Sequence, residues 1–430
     1  MKHIKASGFI ILLLLLPIST SFAAYTPSIS NSQVSSVAEW TVMFYFDGDQ
    51  LETTYSLSDK MLDDVANLES IGSTNDVNFV VLMDLDGYFD SSLHYVTKGE
   101  SIELPLTLIN NSWTNELNMG CGETLLDFMS WAIQTYPAEH YNVYLNNHGG
   151  GWIGICVDEV PEYDILDLSE LKNAFSLIRG KIGRKIDVVS MDACLMSMVE
   201  VAYQLRDDVD YLIGSEAFIH THEENGGLFL NWILDDIYGS LVANPSMTGE
   251  DLCVESVASF RADEAHVIPP IIVKPQAVDC ISAVDVSKVE DVALAVDNMA
   301  QRLLERPLIY RLFLSRVFRR TQSFSGGFDF IGYSYYPYLD LYNLAWNIRH
   351  FIPDRELRNR ADEVMNAVTE AVVVERHGDR KIRWEHTDAH GLSIYLPFRK
   401  LTYREGYETL DFSRDTSWYE FIQSCWLLRR

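Results

Sequence analysis

Two short stretches hold side chains that could together open an amide bond. One is VYLNNHGGGW (143–152), where His148 is followed by three glycines; the other is SMDACLMSM (190–198), which carries Cys194. A thiolate is a strong nucleophile, and an imidazole can pair with it and later protonate a leaving amine. Glycine beside the histidine leaves no β-carbon to block a substrate carbonyl. The N–H of Gly149 and that of Cys194 could then face a developing oxyanion, each donor contributing about 3 kcal/mol in the transition state. Each stretch also has a plain reading. Free cysteine is often a core residue, and three glycines can be a turn with an incidental histidine. Asp192 can cap a helix that starts after it.

The elements around these residues alternate in type. Residues 41–46 (TVMFYF), 77–83 (VNFVVLM), 141–145 (YNVYL), 186–191 (IDVVSM) and 210–214 (DYLIG) read as buried strands. Between them lie helical patterns: Leu57, Met61, Val65, Leu68; then Leu125, Phe128, Met129, Ala132, Ile133 before Pro137. Ser169 is expected to cap a helix through about residue 178, and Leu195, Met198, Val199 and Ala202 are expected to start another. Strands alternating with helices predict an α/β fold with a parallel sheet covered on both faces. Ligands in such sheets sit at the carboxyl ends of strands. His148 and Cys194 each follow a strand by three residues, so both belong to that rim. A helix starting at 195 would also favour a thiolate at its N-terminus.

Beyond about residue 255 the pattern is less regular. Residues 277–286 predict a strand followed by a helix to about 304, 331–348 an aromatic-rich packed segment, 354–375 a helix and 390–397 a late strand. Three other groups contain ligand-type residues. HTHEE (His220, His222, Glu223, Glu224) matches no zinc spacing and reads as a polar loop. Asp47-Gly48-Asp49 and DLDGYFD (84–90) follow strands and hold enough carboxylates for calcium, without the EF-hand spacing. RHGDRKIR (376–383) reads as a solvated hairpin.

The 430 residues carry a formal charge of −29, which argues against a nucleic-acid partner. Residues 1–23 have the form of an export signal. Lys2 and Lys5 precede the apolar run 9–16, and Ser21-Phe22-Ala23 fits a small-x-small cleavage site. That run is short for a bilayer, so an exported protein without a membrane anchor is expected. Residues 24–38 read as a linker or short pro-segment, 39–255 as a catalytic core and 256–430 as a region packed on that core and completing it. Six cysteines in an exported chain permit disulfides, although Cys194, if reserved for chemistry, leaves an odd five. The oligomeric state is not legible.

The motifs YPAEHYNVYLNNHGGGW and IDVVSMDACLMSMVEVAYQL resemble those of clostripain-family cysteine peptidases, in the broad group that includes caspases and gingipains. WTVMFYFDGDQLE, GCGETLLDFMSWAI, DILDLSELKNAF, CISAVDVSKV and HGLSIYLP extend the resemblance across most of 40–400. The histidine-to-cysteine spacing, 148 to 194, is close to the caspase value of about 50. The resemblance implies a caspase-like α/β/α sandwich with C-terminal additions, and a Cys194–His148 dyad acting on protein or peptide substrates. No cofactor is implied, with calcium a candidate. It also implies that Asp192 lies at the base of the first specificity pocket, pairing with Arg or Lys of the substrate.

Two departures stand out. Ser215-Glu216 leads into AFIHTHEENGGLFLNW (217–232), unlike the family's glycine-tryptophan-tyrosine segment, which puts the basic preference in question. Residues 153–171, where relatives often cut themselves, contain no Lys or Arg; the nearest are Lys172, Arg179, Lys181, Arg184 and Lys185. Two rivals fit less well. A serine esterase needs G-x-S-x-G, and GYSYY and GLSIY both lack the last glycine. A binding protein that lost turnover has no need of His148, Gly149 and Cys194 together.

Overall fold

The apolar runs become strands of one sheet. The computed structural model describes residues 37–49, 57–160, 163–219, 222–224, 227–229, 232–260, 280–324, 337–377 and 388–427. The strands are β1 (Ala38–Asp47), β2 (Val77–Asp84), β3 (Ser92–Thr97), β4 (Glu100–Leu104), β5 (Ala138–Asn146), β6 (Ile155–Asp158), β7 (Asp164–Leu166) and β8 (Ile186–Asp192). They continue with β9 (Val209–Gly214), β10 (His222–Glu224), β11 (Gly227–Phe229), β12 (Cys280–Asp285), β13 (Tyr338–Asp340), β14 (Val372–His377) and β15 (Ser393–Tyr395). Nine of them form the main sheet, in the order β14-β12-β9-β8-β5-β1-β2-β3-β4. The five central strands, β9 to β2 in that order, are mutually parallel. Antiparallel pairs finish both edges. The short pairs β6–β7, β10–β11 and β13–β15 lie outside this sheet.

Side chains alternate across β1. Trp40, Val42, Phe44 and Phe46 face one layer, and Met43 and Tyr45 face the other. The first layer is α1 (Leu57–Ile71) with the later helices 234–243 and 249–259. The second holds α2 (Gly122–Thr135), α3 (Leu168–Ile182), α4 (Val199–Gln204) and the helices 289–305, 341–351 and 355–371. The fold is therefore an α/β/α sandwich around a mostly parallel sheet. The later part of the chain takes part in it, since β12 and β14 extend the sheet beyond β9.

Several local expectations change. Asp167, not Ser169, caps α3: its carboxylate accepts from Ser169 and Glu170 N–H, and Glu170 reaches back, a capping box. Residues 195–198 are not helical. Leu195 sits at φ +67°, and α4 begins only at Val199. The helix expected over 354–375 ends at Ala371 and gives way to β14. The hairpin β3–β4, turning at Lys98-Gly99, was not anticipated. All six cysteines are free thiols. The expected signal and most of the linker, His220, and 378–383 of the basic run lie outside the described residues.

Candidate active site

Asn146 ends β5 opposite Asp192, which ends β8. His148 and Cys194 therefore each lie two residues beyond neighbouring strands, on one rim. The glycines explain how closely the two loops meet. A β-carbon on Gly149 would stand 2.2 Å from the Cys194 carbonyl oxygen, and one on Gly151 would stand 3.1 Å from that of Leu195. The His148 loop thus packs directly on the Cys194 turn. Gly151 has a second reason to be glycine, its φ of +66°.

Each loop is tied down. The Asn147 side-chain amide donates to the Asp47 carbonyl at 2.6 Å and accepts from Val157 N–H at 2.7 Å. Cys156 N–H donates to the His148 carbonyl and Gly150 N–H to that of Gly154. These two bonds close the bridge between Gly149 and Ile155, which therefore does not use the Gly149 N–H. The Tyr338 hydroxyl donates to the Gly150 carbonyl at 2.6 Å. On the other loop, Leu195 and Ser197 N–H donate to the Ala217 and Ser215 carbonyls. The HGLS stretch clamps this turn: Ser393 N–H donates to the Ser197 carbonyl, and the Ser197 hydroxyl donates to that of Gly391.

Cys194 is half-buried, and Ile219 N–H donates to its sulfur at 3.3 Å. That N–H, rather than a helix N-terminus, is a positive group the fold places beside a thiolate; the helix expected at 195 starts too late. Burial holds the His148 imidazole below its ordinary 6.5, with Glu159 pulling the other way. The ring is therefore neutral at neutral pH and able to accept a proton. The acid limb of kcat/KM is expected to have its midpoint below pH 6.5, and Glu159→Gln to move it lower. A pH–rate profile with the limb above 6.5 would contradict this.

Asp192 is buried. Its Oδ2 accepts from Lys60 Nζ at 2.8 Å, Tyr144 OH at 2.8 Å and Asn146 Nδ2 at 2.6 Å. It caps no helix among the described residues, and it is paired with Lys60, which Asp64 shares; in the sequence Lys60 is only a polar position of an amphipathic helix.

Beyond the ends of β1 and β2 the two acidic stretches converge. Asp49, Asp84 and Asp158 carry carboxylate oxygens all within 4.8 Å of one another. Burial pushes Asp84 up to about 8 and raises Asp47, Asp49 and Asp158 too, the crowded carboxylates adding to it. Asp47 Oδ2 and Asp49 Oδ1 are buried without a hydrogen-bond partner among the described residues. Such an all-oxygen set suits a hard divalent cation. Its members near the ends of β1 and β2 are legible in the sequence, whereas Asp158 joins them only because β6 brings it in. Of HTHEE, the last three residues form the strand β10.

Known proteins resemble this chain in sequence and in fold. The family model described as the clostripain family matches residues 44–426. Clostripain of Hathewaya histolytica is 23% identical, over 89% of this chain and 80% of its own length. A secreted C11 cysteine protease from Bacteroides thetaiotaomicron, solved in complex with an irreversible peptide inhibitor, superposes with a TM-score of 0.60 at 17% identity. That match covers 90% of this chain and 99% of the other. An inactive zymogen C11 protease from Parabacteroides distasonis also gives a TM-score of 0.60, at 19% identity and with the same coverage.

Proposed function

The chain belongs to the clostripain family of cysteine peptidases, and from that premise we propose an exported endopeptidase that works through Cys194 and His148. The observation that carries the assignment is the contact of Gly149 with the Cys194 carbonyl, which keeps the two loops in register. In this reading His148 takes the thiol proton and the sulfur attacks the scissile carbonyl. The N–H groups of Gly149 and Cys194 receive the oxyanion. His148 returns the proton to the leaving amine, and water then releases the acyl group. Export is supported by residues 1–23 and by the description of the Bacteroides relative as secreted. No helix among the described residues is long and apolar enough to cross a membrane. Cleavage after Arg or Lys, which the resemblance implies, needs an acid open to the substrate. Asp192 is spent on Lys60, so that preference is not carried into this reading.

The test is hydrolysis of a mixed peptide library, with the new termini read by mass spectrometry. Internal cuts that vanish in Cys194→Ala support an endopeptidase. A folded wild-type protein that binds peptides and cuts none would favour the binding reading instead.

We also propose that Asp49, Asp84 and Asp158 hold calcium, with Asp47 beside them. The ion would join the ends of β1 and β2 to β6, which carries the His148 loop. Without it, the raised carboxyl pKa values contribute stability that is full at low pH and lost as pH rises through about 8 for Asp84. Calcium should therefore raise Tm by several degrees at pH 8 and much less at pH 5; at a hundredfold excess over Kd the gain is about 2.7 kcal/mol. Asp158→Asn should remove most of the shift. An equal Tm with calcium or chelator at pH 8 would count against the site.

A further inference from the structure

We propose that Lys60 is a specificity-determining residue: it occupies Asp192 from within, so that the enzyme selects an uncharged, apolar side chain before the scissile bond. The proposal rests on the peptidase reading and deepens it. Lys60 lies on α1, its side chain 3% exposed, with Nζ 2.8 Å from Asp192 Oδ2 and 2.7 Å from Asp64 Oδ2. Asp64 is one helical turn further along α1 and holds the ammonium from a second side. Burial opposes the charge on Lys60, but the two carboxylates outweigh it and keep its pKa above the ordinary range. The amine is a permanent internal cation.

The acid it meets is the last residue of β8, two before the nucleophile. A substrate arginine or lysine would have to displace Lys60 from Asp192 and leave the buried ammonium to Asp64 alone, and breaking one side of a buried ion-pair network is unfavourable. The same oxygen of Asp192 also receives Tyr144 and Asn146, so little acceptor capacity remains on it. The surroundings offer apolar contact instead. Ile219, whose N–H reaches the sulfur, and Phe218 are half-buried beside Cys194. Trp232 packs its ring 5.4 Å from that of Tyr144, whose hydroxyl donates to Asp192. An apolar side chain placed there loses water and leaves the pairing of Lys60 with Asp192 undisturbed.

The experiment uses the full mature protein, with Lys60→Met and Lys60→Ala. The wild type should cut a mixed peptide library mainly after apolar residues. Removing the ammonium should raise the ratio of kcat/KM for Arg over Leu substrates at least about tenfold. A readout without turnover accompanies it: benzamidine, a small cation, should shift the Tm of Lys60→Ala and not that of the wild type. Adding Asp192→Asn to Lys60→Ala should abolish the shift. Lys60→Met keeps the volume of the side chain should the alanine variant fold poorly. Dominant wild-type cleavage after Arg or Lys would overturn the proposal, and so would a benzamidine shift equal in wild type and Lys60→Ala. A benzamidine difference without any peptide cleavage would uphold Lys60 while overturning the peptidase reading.

Discussion

Cys194→Ala is expected to lower peptide hydrolysis by at least about 10⁴-fold, and His148→Ala by a similar factor, because groups that act as a unit fail together. The two losses should not add in the double variant. The physical reason lies in the rim. β5 and β8 are hydrogen-bonded neighbours that end in register at Asn146 and Asp192, so each loop leaves the sheet at the same level. Removing sulfur or imidazole changes no packing of the sheet itself. Both variants should therefore keep the Tm of the wild type within a few degrees. Steady-state kinetics with matched thermal melts measure this. A Cys194→Ala protein that retains more than a small fraction of the rate would assign the chemistry elsewhere.

Gly149→Ala should lower kcat/KM about a hundredfold, the scale for a displacement of about 1 Å at a reacting centre. Its β-carbon would stand 2.2 Å from the Cys194 carbonyl oxygen and 3.0 Å from Ala193 Cβ and Met196 Cγ. The φ of Gly149 is not left-handed, so the effect comes from the contact and not from backbone strain. One loop must retreat from the other, and sulfur and imidazole separate. Gly150→Ala is the control. Its β-carbon would approach no atom closer than 3.2 Å, at Ile153 Cβ, and activity should stay within a few-fold of wild type. Equal losses at 149 and 150 would remove the loop-to-loop contact from the account.

Much of this site is legible in the residues. The strand endings, expected at 145 and 191 from short apolar runs, fall at 146 and 192, and the carboxyl-end rim of parallel strands is where ligands collect. What is not legible depends on contacts far apart in sequence. The α4 periodicity at Leu195 and Met198 imitates a helix start, but these residues belong to a turn held by Ala217, Ser215 and Ser393. Lys60 is a polar position in an amphipathic pattern and shows its partner only when α1 lies on the sheet, 132 residues from Asp192. Asp158 joins the acidic cluster through a short strand that carries no periodic signal. The β3–β4 hairpin had a signal in Lys98-Gly99 between two alternating runs, with Gly99 at φ +94°. Glycine's role at 149 was read as access for the substrate; the contact with Cys194 adds a reason internal to the fold.

The most direct test of the central claim is the site of covalent capture by a peptidyl chloromethyl ketone bearing an apolar terminal residue, mapped by mass spectrometry on wild type and His148→Ala. The account predicts one adduct, on Cys194, formed quickly in the wild type and lost or greatly slowed without the imidazole. An adduct on another of the six thiols, or capture of Cys194 at the same rate in both proteins, would contradict it.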